Sequence, residues 1–248
     1  LHYRYQLKKS VIGRGNTSRV FLALDIKNDI QVAIKRMSNI NEALIEADIM
    51  RNIGGSKHVT RLLDIFIEEP YAYLVMEYNK GSRLGYFKKG KIYEPKKAVQ
   101  ITIKILEGIR SIHECGFLHC DLTPHNVLIL HDNPESIKII DFGSSVQKNE
   151  SGEYKGTHKG ATKWYRPPEL KKGPDGFSAH IDNSSDLYSC ACICLYLLTG
   201  KAPFRKKESY QLVRNEKLRM VLKKAVRRNK RERYQTADEL IKALQPFA

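Results

Sequence analysis

Long hydrophobic runs are missing from this chain: the longest candidate is broken near Thr199-Gly200, and no stretch stays apolar for long enough to span a bilayer. A signal-peptide pattern is missing as well. Cysteine is sparse, five residues in all, an odd number without paired spacing, which argues against a disulfide framework. Cys190, Cys192 and Cys194 recur at every second residue of an expected helix, an interval that turns successive side chains to different faces and argues against a metal site. Buried structural thiols in a reducing, cytoplasmic setting are the expectation. There is no internal repeat, no low-complexity linker and no aromatic interleaving or motif of a specific nucleic-acid reader. Because Leu1 is not a methionine, a longer parent with a tail or an anchor stays open.

Acidic residues are also in short supply. Lys and Arg number 43 against 27 Asp and Glu, a net charge of +16. That excess implies an acidic partner or surface more than it implies a fold. Much of it lies between Lys201 and Arg233, in Arg205-Lys206-Lys207, Lys223-Lys224, Arg227-Arg228 and Lys230-Arg231. Such a face suits an acidic protein, a nucleic acid or an anionic lipid, and a merely solvated basic face is the alternative. Otherwise the composition, 42% hydrophobic and 28% charged over 248 residues, is that of an ordinary globular protein with room for a sizeable core.

Several motifs carry chemistry. His119-Cys120-Asp121-Leu122-Thr123-Pro124-His125-Asn126 is followed, after a short strand-turn-strand stretch, by Asp141-Phe142-Gly143. Gly13-Arg14-Gly15-Asn16-Thr17-Ser18-Arg19-Val20 lies between two apolar runs, Tyr5 to Ile12 and Val20 to Leu24, that read as a hairpin. Val32-Ala33-Ile34-Lys35 follows it, and then Asn41 to Ile53, a helix with Asn41 as its expected N-cap and Gly54-Gly55 as its stop. From Pro95 to Glu114 the apolar positions Val99, Ile103, Leu106, Ile109 and Ile112 recur at helical spacing, with Gly116 as the stop. The stretch Ser144 to Lys159 is polar, contains Ser151-Gly152 and is expected to be a mobile surface loop.

Together these motifs resemble the eukaryotic-like protein kinases, the Hanks-type serine/threonine kinase superfamily, over nearly the whole chain. The resemblance implies an α+β, two-lobed protein-kinase fold: residues 1–78 as a small antiparallel β lobe with one helix, and residues 79–248 as a larger, mainly helical lobe. It implies ATP and Mg²⁺ as cofactors and a protein substrate. Phosphoryl transfer needs an oriented hydroxyl and divalent cations held against the phosphates. Asp121 is thereby the residue that accepts the hydroxyl's hydrogen bond, and Asn126 and Asp141 are the oxygen ligands for magnesium. Ile12, Gly13, Gly15, Ser18 and Val20 correspond to the glycine-rich cradle, with Ser18 where a third glycine is common. Lys35 corresponds to the phosphate-gripping lysine, and Val20, Ala33 and Leu128 to the adenine contacts. Met76 stands at the gatekeeper position, and Glu77, Tyr78 and Asn79 at the hinge that offers backbone groups to adenine. Glu46 is the expected helix partner of Lys35, since Ile49 and Met50 one turn on are apolar; the interval from 35 to 46 is short for the family.

Further matches concern the substrate side. Ala161-Thr162-Lys163-Trp164-Tyr165-Arg166-Pro167-Pro168-Glu169 resembles a substrate-docking loop, with Thr162 joining the catalytic set and Glu169 expected to pair with Arg233. Asp186 resembles the aspartate that braces the catalytic loop from a buried helix. The departures are specific. Cys120 replaces the arginine of the His-Arg-Asp motif, which removes the contact through which a phosphorylated activation segment acts. Thr123 replaces a lysine, and His125 either restores part of that charge or merely packs. The expectation is a serine/threonine protein kinase not gated by activation-loop phosphorylation; the alternatives are a pseudokinase binding module and a small-molecule phosphotransferase. The compactness also resembles minimal kinases of bacteria, viruses or effectors secreted into a host.

Overall fold

The computed structural model describes residues 3–15, 18–86, 92–131, 133–154, 162–170, 181–201 and 208–248. The chain divides into two compact units, Leu1–Lys80 and Gly81–Ala248.

In the first unit, β1 (Tyr5–Arg14), β2 (Ser18–Asp25), β3 (Ile30–Met37), β4 (Leu62–Glu68) and β5 (Tyr71–Glu77) form one antiparallel sheet in the order β1-β2-β3-β5-β4. Central β3 is buried on both faces. Val32 and Ile34 join Tyr5, Ala23, Tyr73 and Val75 in a core cluster on one side. Stacked rings of Tyr5, Phe66 and Tyr73 extend that cluster. The other side is served by α1 (Ile40–Ile53), which buries Ala43, Glu46, Ala47, Ile49, Met50 and Ile53 at helical spacing. The N-cap is Asn39, not the expected Asn41: Asn39 is extended, and its side chain accepts from the Glu42 N–H at 3.1 Å. Asn41 lies one residue inside the helix, where it satisfies no orphan donor in this way. Gly54 closes the helix, and Gly55 at φ +98 takes a backbone conformation that a side chain would strain.

The second unit is built on two long helices. α2 (Pro95–Glu114) begins with proline at its first position, where the missing N–H costs nothing, and ends before Gly116 at φ +79. It packs on α3 (Asn183–Thr199) and α6 (Ala237–Leu244). Helix α3 is buried nearly all round, as a helix at the centre of a bundle must be. Asp182 and Ser185 form its capping box, and Gly200 at φ +67 ends it. Between α4 (Glu208–Gln211) and α6 lies α5 (Glu216–Ala225), which buries Leu218, Leu222 and Ala225.

Short strands carry the loops of this unit: β6 (Gly81–Arg83) pairs with β8 (Val127–Leu130), β8 with β9 (Ile137–Ile139), and β7 (Phe117–Leu118) with β10 (Val146–Gln147). The architecture is therefore the α+β, two-lobed fold, with an antiparallel sheet and one helix in one unit and a mainly helical second unit.

Two expectations need correction. Cys120, Cys190, Cys192 and Cys194 are buried, but Cys115 is exposed, because it caps the end of α2 rather than facing the core. The stretch from Ser144 is also not a plain surface loop: β10 is paired, Lys148 bridges to Tyr154, and Asn149 closes the turn by accepting from Glu153 N and Ser151 Oγ. Residues 155–161, including Ala161, lie outside the described residues.

Ile109 of α2 is fully buried, whereas Ile45 of α1 is 61% exposed. Truncating Ile109 to alanine is expected to cost about 2–5 kcal/mol in urea-induced unfolding. Ile45→Ala should change stability by less than about 0.5 kcal/mol.

Candidate active site

In the first unit the β1–β2 turn is tight. Gly13 pairs with Val20, Arg14 with Arg19, and Gly15 N–H donates to the Ser18 carbonyl at 2.9 Å. A Cβ on Gly15 would meet Ser18 Oγ at 2.8 Å, so the serine hydroxyl would have to turn aside to admit a larger residue there. Asn16 and Thr17 lie outside the described residues, and Ile12 is exposed on β1. Along the sheet, Val20 pairs with Lys35 and Lys35 with Leu74, while Leu22, Ala33 and Met76 form the next row. Cross-strand partners share a face. Val20, Ala33, Lys35 and Met76 therefore look to one side of the sheet, the side to which α1 brings Glu46.

Lys35 Nζ lies 2.7 and 2.8 Å from the two Glu46 oxygens, and both side chains are buried. The short interval in sequence is absorbed because only Ser38 and Asn39 connect β3 to α1. At the end of β5 the Glu77 N–H is committed to the Arg61 carbonyl at 3.0 Å, and Glu77 Oε1 accepts from Arg61 N–H. Tyr78 and Asn79, both half-buried, follow it.

In the second unit a buried carboxylate organises the catalytic loop. Asp186, in the first turn of α3, accepts from His119 N–H and Cys120 N–H, each at 2.9 Å, and lies 2.9 Å from His113 Nε2. Burial alone would raise its pKa; the His113 hydrogen bond, the His113 and His119 charges and the His119 N–H bring it below the ordinary value. The two N–H bonds also account for Cys120 at φ +65, a left-handed backbone unusual outside glycine. His119 Nδ1 accepts from the Asp121 N–H at 3.4 Å, and its ring rests on Phe142 with centroids 5.4 Å apart.

The loop then presents Asp121. Its Oδ1 accepts from the Thr162 N–H at 2.9 Å and from Thr162 Oγ1 at 3.1 Å, so the segment that begins at Thr162 is tied directly to this carboxylate. Burial raises the Asp121 pKa, the two Thr162 bonds and His119 oppose the rise, and Asp141 adds to it. Asn126 Nδ2 donates to the Asp121 carbonyl at 2.9 Å, which turns Oδ1 away as the remaining acceptor. The Ile140 N–H donates to the Asn126 carbonyl, and Val127 pairs with Ile139, so Asn126 and Asp141 sit at the same end of the β8–β9 pair. Asp141 is exposed at φ +70. No group of three or more His, Cys, Asp or Glu suited to a metal exists among the described residues. Two protein oxygens fit magnesium, which keeps several waters and completes its shell with phosphate. Leu128, on β8, is half-buried.

The two replacements flanking this loop have structural roles. Thr123 is buried, and its hydroxyl accepts from the His125 N–H at 3.2 Å, capping the turn Pro124–Asn126. The His125 ring lies over Gly85, where a Cβ would approach it to 2.6 Å. Burial, and then the Arg83 charge, lower the His125 pKa, so the neutral ring is favoured at pH 7.

Glu169 and Arg233 form a bidentate pair with both contacts at 2.7 Å, and Ser185 Oγ adds a third bond to Glu169. The same guanidinium donates to the Arg227 and Arg228 carbonyls and stacks over Tyr188. Parts of the basic run are similarly engaged, Arg227 with Glu232 and Lys230 with Asp182. Arg205, Lys206 and Lys207 lie outside the described residues. Sequence reasoning missed His113, which is far in sequence from Asp186, and missed Thr123 as a cap because that position was read only for the lysine it replaces. No helix among the described residues is long and apolar enough to cross a membrane.

A lysine–glutamate pair beneath a glycine-bearing hairpin, and an aspartate, asparagine, aspartate set held by a buried helix, define the architecture of a kinase. The chain belongs to the protein kinase family: the model of the protein kinase domain matches residues 5–247. It is similar to a sporulation protein kinase of Schizosaccharomyces pombe, 32% identical over 85% of this chain and 40% of that protein. A probable serine/threonine-protein kinase of Streptomyces coelicolor is 29% identical over 96% of this chain and 39% of its own length. Cyclin-dependent kinase 12 of Caenorhabditis elegans is 31% identical over 80% of this chain and 29% of its own length. The chain thus spans less than half of each of these relatives.

The buried Lys35–Glu46 pair gives a stability prediction. Lys35→Met removes the ammonium that makes two short bonds to the buried Glu46 carboxylate and should cost about 3–5 kcal/mol in urea unfolding. The double variant Lys35→Met/Glu46→Leu should recover most of that loss, because neither charge is then desolvated.

Proposed function

We propose that the chain transfers the γ-phosphate of ATP, with magnesium, to serine or threonine hydroxyls of protein substrates, and that phosphorylation of its activation segment does not gate this activity. The observation that carries the reading is the Asp121 carboxylate, oriented by Thr162 and set on a loop braced by Asp186. Asp121 accepts the hydrogen bond of the incoming hydroxyl and aims its oxygen at the phosphorus. Lys35, held by Glu46, grips the α- and β-phosphates, and the sheet face of Val20, Ala33 and Met76, with Leu128, contacts the adenine. Asn126 and Asp141 would hold magnesium, which when bound would supply positive charge against the phosphate oxygens. The Streptomyces coelicolor relative, a probable serine/threonine-protein kinase, supports hydroxyls of that type. Independence from phosphorylation rests on Cys120, which is buried in an apolar cluster and itself carries no positive charge to meet a phosphate.

One observation favours a second reading, a pseudokinase binding module. Neither Thr123 nor His125 supplies a cation beside Asp121. The two readings separate in one experiment with labelled ATP, magnesium and casein. Phosphate incorporation that Asp121→Asn lowers by about 10²–10⁴-fold supports the kinase. In that case nucleotide affinity should stay nearly unchanged in Asp121→Asn, whereas Asp141→Asn should lose magnesium-dependent nucleotide binding as well. Nucleotide binding without any incorporation by the wild type would favour the binding module.

Phosphatase treatment gives an independent check. The treated enzyme is expected to keep its rate, and a large loss restored by autophosphorylation would contradict the proposal.

A further inference from the structure

The cluster around Cys120 contains more than the absence of an arginine. Leu118, Cys120, Val146, Leu170 and Ile181 form one buried apolar group, and Tyr154 packs against it. These residues come from β7, the catalytic loop, β10 and the two ends of the segment that precedes α3. Tyr154 is held on both sides of its ring. Its hydroxyl donates to Asn183 Oδ1 at 3.0 Å, at the first turn of α3, and its backbone bridges to Lys148. Lys148 is itself fixed by donating its N–H to the Gly116 carbonyl at 2.8 Å, and its Nζ lies 6.0 Å from the centre of the Tyr154 ring. Burial raises the phenol pKa to about 12, so the hydroxyl stays a donor across the physiological range.

We propose that Tyr154 is a positioning residue for catalysis: its ring closes the apolar pocket around Cys120, and so fixes the left-handed backbone turn from which Asp121 projects. A cation at the Cys120 position would need a phosphate opposite it. A thiol there needs an apolar lid, and Tyr154 is the residue that provides it. The clasp acts through Cys120, not on the reacting atoms. Its hydroxyl bond sets the orientation of the lid, while the ring supplies most of the contact. The inference rests on the kinase reading above.

The test compares Tyr154→Ala, Tyr154→Phe and Leu222→Ala, the last a core truncation in α5 away from the clasp. Initial rates on casein and binding of a fluorescent ATP analogue are measured for each at a temperature where all are folded. Tyr154→Ala should lower kcat tenfold or more while nucleotide Kd stays within twofold. Tyr154→Phe should retain at least a third of the wild-type kcat. Leu222→Ala should melt at lower temperature yet keep its kcat. An unchanged kcat in Tyr154→Ala, a Phe variant as inactive as the Ala variant, or an equal loss in Leu222→Ala would overturn the assignment.

If the wild type itself phosphorylates nothing, the kinase reading has failed, and the clasp is judged by hydrogen exchange. Tyr154→Ala should then speed exchange at the Cys120 and Asp121 amides at least tenfold, with no such change in Leu222→Ala. Equal exchange at those amides in wild type and Tyr154→Ala would overturn the clasp itself.

Discussion

A carboxylate buried at the start of α3 is the constraint from which the catalytic loop takes its shape. Asp186 is almost completely removed from water, a condition that costs several kcal/mol for an ion unless its lone pairs are satisfied. The backbone N–H groups of His119 and Cys120 and the imidazole of His113 satisfy them. To deliver two successive N–H groups to one carboxylate, the chain must turn sharply at Cys120, which accounts for its positive φ. Asp121 then emerges on the far side of the turn, where Thr162 can reach it. Position of the proposed base is thus a consequence of satisfying a buried charge.

The same logic recurs at the other long-range ties. Glu46 and Glu169 each receive a cation from a distant segment, across 11 and 64 residues of chain. Each cationic partner is itself nearly buried, so the pairs act as geometric locks more than as sources of net stability. Lys35–Glu46 sets the angle of α1 against the sheet. Glu169–Arg233 anchors the end of the docking segment to the turn before α6, and Arg233 uses its remaining donors on the Arg227 and Arg228 carbonyls.

Where charge has been removed from the pattern of the family, packing and local hydrogen bonds have taken its place. Cys120 lies among leucine, valine and isoleucine side chains, and Thr123 turns its hydroxyl inward to cap the turn that presents Asn126. Burial also keeps the Cys120 thiol protonated, since its pKa is raised well above the ordinary value. This bracing by packing and local hydrogen bonds is the physical basis of the proposed independence from phosphorylation.

Much of the fold was legible from residue pattern alone. The apolar periodicity of Pro95 to Glu114 matches α2 to the residue, and the glycine-punctuated runs before Lys35 match the first strands. These signals are local: a side-chain period or a turn residue carries its meaning within one element. Residue identities also marked the motif of His119 to Asn126 and the candidate partner of Lys35. What pattern could not supply was the choice among equivalent local options and the contacts between distant segments. The residue pattern suggests Asn41 as the cap of α1, and the extended backbone at Asn39, whose side chain accepts from the Glu42 N–H, moves it there. Tyr154 sits in a polar stretch that reads as surface loop, yet it is half-buried against the cluster that contains Cys120, on the chain that follows the β10–β7 pair. The sequence by itself determined which chemistry is present; tertiary structure decided which groups are buried together, because burial and long-range hydrogen bonding depend on neighbours that the linear order does not reveal.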